Sequence, residues 1–168
     1  MSYCILIRGP LGSGKTTIAR ALADKISAQY ISIDKILDDN HLTQDVEEGY
    51  ISQKSFLKAN EIIIPSIRER LEKGIPAVVD GNFYWQSQID DLIKKLDYQS
   101  FVFTLHAPLE LCIERDKKRD VSCGEDATEA VYKKVTEIEC GKSIDATQPV
   151  DVIVGTIVKE VTDGAIQK

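Results

Sequence analysis

The chain has 168 residues, 43% hydrophobic and 29% charged, with 21 Lys and Arg against 27 Asp and Glu for a formal net charge of −6. That length suits one domain with its own core, and the composition is ordinary for a globular protein in water. The acidic balance counts against a broad nucleic-acid surface, no apolar run reaches membrane-spanning length, and the first strand starts too close to Met1 for a secretory leader, so a cytosolic protein is expected.

Tyr3-Cys4-Ile5-Leu6-Ile7 is a short apolar run and predicts a buried strand. It leads into Gly9-Pro10-Leu11-Gly12-Ser13-Gly14-Lys15-Thr16, where a glycine, four free positions and Gly-Lys-Thr make a complete phosphate-binding loop. Ile18, Ala19, Leu22, Ala23 and Ile26 then recur at helical spacing. Strand, glycine loop and helix is the setting this motif requires. Small residues let backbone N–H groups form a nest for a phosphate. Gly9, Gly12, Ser13, Gly14, Lys15, Thr16 and Thr17 are the expected cradle. Lys15 reaches the β- and γ-phosphates in such a loop, and the Thr16 hydroxyl completes a Mg²⁺ shell. The helix points its positive end at the same phosphates.

Tyr30-Ile31-Ser32-Ile33-Asp34 predicts a second strand, followed by a polar stretch from Lys35 to Gly49. Ser52 to Lys73 predicts a long helix, kinked or divided at Pro65 and capped by Gly74. Ile75 to Asp80 is the third expected strand and Trp85 to Leu96 a helix. Ser100 to Leu105 is the fourth strand, and helices follow over Pro108–Arg119 and Asp126–Cys140. Asp151-Val152-Ile153-Val154 is the fifth expected strand, with a short helix after Val158. Alternating strands and helices with continuously apolar strands predict an α/β fold, a parallel sheet covered on both faces.

Ligands of such sheets gather at the C-terminal strand ends. There the chain places Asp34 and then Asp80-Gly81-Asn82, on the same edge as Lys15 and Thr16. Asp80, after Ala77-Val78-Val79, suits orientation of Mg²⁺, ahead of the plainer reading that it ends a strand. Asp34 suits acceptance of a proton from an attacking hydroxyl, and it could also cap a helix. Gly81-Asn82 is either a close pass of backbone to a ligand or a plain turn. Arg115 and Arg119 stand four apart, so on one helix they would share a face and could clamp a triphosphate. Their alternating-charge surroundings are also what a solvated helix face looks like. Cys4, Cys112, Cys123 and Cys140 form no C-x-x-C pair, and His41 and His106 stand alone, so neither zinc nor disulfides are expected. Tyr50, Tyr84 and Trp85 line a pocket or pack the core.

Four segments in this order resemble the small P-loop kinases of the nucleoside-monophosphate and shikimate/gluconate kinase type, AAA-type ATP-binding kinases that include polynucleotide-kinase-like domains. They are Gly9 to Thr16, Ser32-Ile33-Asp34, Val78-Val79-Asp80-Gly81-Asn82, and Leu105-His106-Ala107-Pro108-Leu109-Glu110 leading into Arg115 and Arg119. The resemblance covers nearly the whole length. It implies a three-layer α/β/α P-loop NTPase fold whose five parallel strands run in the order 2-3-1-4-5, built as a single domain over 1–168. It implies Mg-ATP as phosphoryl donor, an acceptor-covering segment over about 35–73 and a lid over about 115–125. It implies Arg115 near the adenine or phosphates, Arg119 on the transferring phosphoryl, and an approach of 147–156 to the adenine. The chain departs from nucleotide kinases in one respect. Lys35 to Gly49 holds no arginine, and Arg68 and Arg70 are the only arginines between Arg20 and Arg115.

The expected activity is therefore transfer of the γ-phosphoryl of ATP to a hydroxyl of a small metabolite, by a monomer or homodimer. Two other readings stand beside it: a kinase of a nucleic-acid end or aminoacylated RNA, and a nucleotide-binding regulatory ATPase.

Overall fold

In the computed structural model, which describes residues 2–166, the first apolar run forms strand β1 (Cys4–Arg8), buried at every residue. The loop that follows opens helix α1 (Lys15–Ile26), and the chain returns through β2 (Gln29–Ser32). Next come α2 (Ile33–Asp39), a small antiparallel hairpin of β3 (Val46–Glu47) and β4 (Tyr50–Ile51), and the long helix α3 (Gln53–Glu72). Then follow β5 (Ala77–Gly81), α4 (Gln86–Leu96), β6 (Ser100–His106), α5 (Leu109–Lys117), α6 (Glu125–Thr136), β7 (Lys142–Asp145) and α7 (Val150–Ile166). The large sheet has the order β2-β5-β1-β6-β7 and is parallel throughout. Counted over its own strands this is 2-3-1-4-5, as expected.

Strand alternation sends β1 and β5 side chains to two separate cores. Ile5, Ile7 and Val78 pack with Ile18, Leu22, Ile153 and Ile157 of α1 and α7. Leu6, Ala77 and Val79 pack with Phe56, Ile63, Ile67, Leu92 and Leu96 of α3 and α4. No helix among the described residues is long and apolar enough to cross a membrane.

The fifth strand is not where the sequence suggested. Asp151 to Val154 lies inside α7, and the sheet's last strand is the polar Lys142-Ser143-Ile144-Asp145. The valine-rich run imitates a strand locally, but Ile153, Val154, Ile157 and Val161 are its buried positions, a helical spacing that faces α1. An edge strand buries little; only Ile144 of β7 is buried, so it carries almost no apolar signal. The polar stretch after the second strand is also more structured than expected, since it holds α2 and the hairpin. Helix α3 runs through Pro65 without interruption. It ends in a Schellman motif, with Gly74 at φ 79 donating to Leu71 O and Ile75 donating to Arg70 O.

Arg8 closes β1 and is fully buried. It has no carboxylate partner in its bonding. Its guanidinium donates to Phe83 O (3.3 Å), Thr104 Oγ1 (3.1 Å), Ile138 O (2.9 Å) and Val135 O (2.9 Å). The last two carbonyls lie at the negative end of α6, where a cation is favoured. Arg8 therefore binds the sheet's centre to α6 and to the loop after β5. Methionine would donate to none of these oxygens; Arg8→Met is expected to lower stability by about 2–4 kcal/mol, read from urea unfolding.

Candidate active site

The loop between β1 and α1 takes its shape from glycines that cannot be replaced cheaply. Gly12 and Gly14 have φ 73 and 89, in the left-handed region. A Cβ on Gly12 would lie 2.1 Å from Cys112 O, so the loop lies directly on the backbone of α5. Ser13 Oγ donates to Pro10 O at 2.7 Å and is spent within the loop. Gly14 is the cap residue of α1 and offers no side-chain partner to the helix's first N–H groups. Those donors remain available to an anion. Lys15 is 6% exposed, while Thr16 and Thr17 are exposed.

This loop forms one wall of a cleft of about 450 Å³. Asp34, Arg115 and Arg119 line it together with Lys15, Thr16 and Thr17. Gln148, Val150 and Ile153 line it too, from the 147–156 segment. Residues far apart in sequence thus meet on the sheet's C-terminal edge.

Asp34 does not end a strand. It stands in the first turn of α2, whose cap is Ser32, its Oγ accepting from the backbone N–H of Lys35. Burial holds the Asp34 carboxyl above the ordinary aspartate value; Lys15 opposes this, Asp80 and Asp38 add to it, and Arg119 opposes it again.

Asp80 lies within β5 and is fully buried, beneath the cleft rather than on its wall. Its Oδ2 accepts a 2.6 Å hydrogen bond from the Tyr30 hydroxyl. Its Oδ1 is buried without a partner. An orphaned carboxylate oxygen at the foot of a phosphate loop is a costly arrangement unless something completes it. Tyr30 was not a candidate from sequence, because nothing in a β-rich run distinguishes an aspartate-holding tyrosine from a packed one.

The two arginines do not share a helix face. Helix α5 ends at Lys117, and Arg119 lies in the loop beyond it. Arg115 donates to Ser13 O (3.3 Å) and, through both terminal nitrogens, to Ala146 O (3.1 Å). It straps the phosphate loop to the end of β7. Arg119 is half exposed and leans on Asp116 Oδ1 at 3.5 Å.

Asp116 is the organising group that the sequence run concealed. It is 1% exposed, and its Oδ2 accepts from Ser122 Oγ (2.6 Å), Cys123 N (2.9 Å) and Gly124 N (3.2 Å). Burial pushes its carboxyl up, but these donors and Arg119 outweigh it and hold the group below the usual carboxylate range. One carboxylate thus shapes the whole turn between α5 and α6. In sequence it was one acid among alternating charges.

Tyr84 and Trp85 belong to the core, 3% and 7% exposed. Burial pushes the Tyr84 hydroxyl up to about 12, with the Asp34 charge adding. Trp85 Nε1 donates to Ile51 O at 2.8 Å, and the Tyr50 hydroxyl donates to Ala130 O at 3.1 Å. Lys134 of α6 lies 4.3 Å over the Trp85 ring and pairs with Glu48 of the hairpin at 2.8 Å. The hairpin is therefore docked on the helix that follows the Asp116 turn.

The family model for the AAA domain matches residues 4–138. The chain is 26% identical over 141 residues to the shikimate kinase of Pseudoalteromonas translucida, covering 79% of this chain and 77% of that one. It is 28% identical over 130 residues to a cytidylate kinase of Saccharolobus islandicus, covering 77% of this chain and 66% of that one. In fold it resembles a gluconokinase from Sinorhizobium meliloti, with TM-score 0.73, 19% identity, and coverage of 98% and 97%. The phosphate loop, the strand order and these likenesses agree: the chain belongs to the AAA domain family, among the small P-loop kinases of the nucleoside-monophosphate, shikimate and gluconate kinase group.

Proposed function

We propose that the protein transfers the γ-phosphoryl group of Mg-ATP to a hydroxyl group of a small metabolite. One observation carries this reading: Lys15, Asp34 and Arg119 converge on one cleft at the mouth of the phosphate loop. The loop's N–H groups and Lys15 hold the phosphates of the donor. Gln148, Val150 and Ile153 offer the half-apolar wall that a base needs. Thr16 and Asp80 are the residues that would hold Mg²⁺, Asp80 having an unpartnered Oδ1. The ion, when bound, neutralises charge on the phosphates.

Asp34 accepts the proton of the acceptor hydroxyl, and burial strengthens it as a base. The acceptor oxygen bonds to the γ-phosphorus as the bond to the β–γ bridging oxygen breaks. ADP leaves with that electron pair. Arg119 stabilises charge on the transferring group. In this reading residues 35–73 cover the acceptor and 115–125 close over the donor, all within one domain. Arg115 acts differently from a free clamp: it fixes the loop's shape through Ser13 O and stands at the nucleotide side of the cleft.

Release of ADP should rise when the right hydroxyl compound is added, and Lys15→Ala should abolish it; ADP release indifferent to every acceptor in a broad metabolite panel would instead make the protein a nucleotide-dependent regulator. Asp34→Asn should lower kcat about 10²–10⁴-fold, measured at saturating ATP and acceptor. The same variant should be more stable than the parent at pH 7. The folded state binds the Asp34 proton more tightly than the unfolded chain does. Ionised Asp34 therefore costs stability, increasingly as pH rises from the ordinary value of 3.8 through the raised one. Thermal melting from pH 7 down to 4 should show the variant's advantage shrinking.

A further inference from the structure

Between α5 and α6 a residue of the cleft stands on a segment with no apolar support. From Lys117 to Ala127 every residue is exposed, and the buried residues at its two ends are Asp116 and Thr128. Arg119 lines the cleft and belongs to this segment, beyond the end of α5. Packing against a core therefore does not fix its side chain. Polar contacts have to, and those of the segment converge on Asp116.

The two carboxylate oxygens of Asp116 have different partners. Oδ2 takes the Ser122 hydroxyl and the backbone N–H groups of Cys123 and Gly124. At the far end of the turn, Thr128 Oγ1 donates to Gly124 O at 2.8 Å, so the entry into α6 is fixed as well. Oδ1 faces the Arg119 guanidinium at 3.5 Å, and the backbone N–H of Arg119 donates to the Asp116 carbonyl at 3.1 Å. Asp116 thus holds Arg119 by main chain and side chain together.

Helix stability alone gives no reason for an acid here. Asp116 stands in the last turn of α5, where the negative end of the helix disfavours a carboxylate, and it is buried. Three donors offset that cost through Oδ2, which leaves Oδ1 to meet a cation. Leaning on it, Arg119 is near enough to Asp34 for its charge to act on that carboxyl, although its own side chain is half exposed. An arginine loose on an exposed turn loses rotamer freedom when it meets a phosphoryl group; one already set against a fixed carboxylate loses less.

We propose that Asp116 is a positioning residue: through Oδ1 it keeps the Arg119 guanidinium at the cleft, preorganised for the γ-phosphoryl group of the nucleotide. This rests on the phosphotransferase reading for the role of Arg119. The task is separable from shaping the turn, because the two tasks use different oxygens. Asparagine separates them. Its amide oxygen takes the place of Oδ2, since the two backbone N–H groups require an acceptor. Its NH2 group then faces Arg119, donor against donor, and the guanidinium is released.

Three full-length variants test this: Asp116→Asn, Arg119→Met and the two combined, each checked for folding by its melting curve. Calorimetry with Mg²⁺ reads the affinity for ADP and for a non-hydrolysable ATP analogue that carries a γ-phosphoryl group. Arg119→Met should weaken the analogue about tenfold and leave ADP within about twofold. Asp116→Asn should weaken the analogue about threefold to tenfold, again sparing ADP, and should add nothing once Arg119 is replaced. An analogue affinity unchanged in Asp116→Asn, an equal fall for both ligands, or a fall that persists in the double variant leaves Asp116 with the turn alone and overturns the inference. The parent protein supplies a check that needs no variant. Nitrogen-15 relaxation should find the Arg119 Nε–H group clearly more ordered than that of exposed Arg70. Equal mobility of the two overturns the inference as well. The expected binding pattern, together with ADP release that no hydroxyl compound raises, would uphold the role of Asp116 and overturn the transferase reading instead.

Discussion

Everything in this molecule is arranged around β1, the central strand of a parallel sheet that is covered on both faces. Its five residues are all buried, paired with β5 on one side and β6 on the other. Such a strand can present nothing polar to water along its length. Its chemistry must leave at its C-terminal end, and there the chain turns at once into the glycine loop. The register does the rest. Ile7 stands beside Asp80 and Arg8 beside Gly81, so the acid under the loop and the asparagine next to it are set by backbone pairing.

The same end of β1 carries a tie to the elements that pack around it. Arg8 holds the end of α6, α6 receives the hairpin through Tyr50 and Lys134, and the turn before α6 is shaped by Asp116. The hairpin and the turn between α5 and α6 are therefore linked through one helix. Buried carboxylates and guanidiniums are costly unless their donors and acceptors are matched. Asp116 and Arg8 are matched almost completely, by main-chain groups more than by opposite charges.

Against that background the incomplete groups stand out. Asp80 Oδ1 and Asn82 Oδ1 are buried and unpartnered, and ionised Asp34 is disfavoured by burial and by two neighbouring acids. All three lie on the loop side of the sheet's C-terminal edge. Asp80 and Asn82 thus leave unsatisfied polarity near the phosphate loop, where a ligand could complete it. Three further side chains hold orphaned atoms away from this edge among the described residues: Asn60 and Gln88 between α3 and α4, and Gln29 at the start of β2.

The sequence by itself determined the loop, the alternation of strands and helices, the sheet order through its resemblance, and the candidates Lys15, Thr16, Asp34 and Asp80. These are legible because local chemistry dictates them: glycines where φ must be positive, apolar runs where both faces are covered. Only the tertiary structure decided the rest. A polar edge strand such as β7 buries too little to announce itself, and the valine run of α7 becomes a helix because α1 packs on its spaced residues. The hydrogen bonds of Arg115 to Ser13 O and Ala146 O gave no signal in the sequence, because they join elements distant along the chain. Asp116, Tyr30, Arg8 and the pairing of Lys134 with Glu48 gave no local signal at all. Their roles lie in partners that are brought close only by the folding of the sheet and its covering helices.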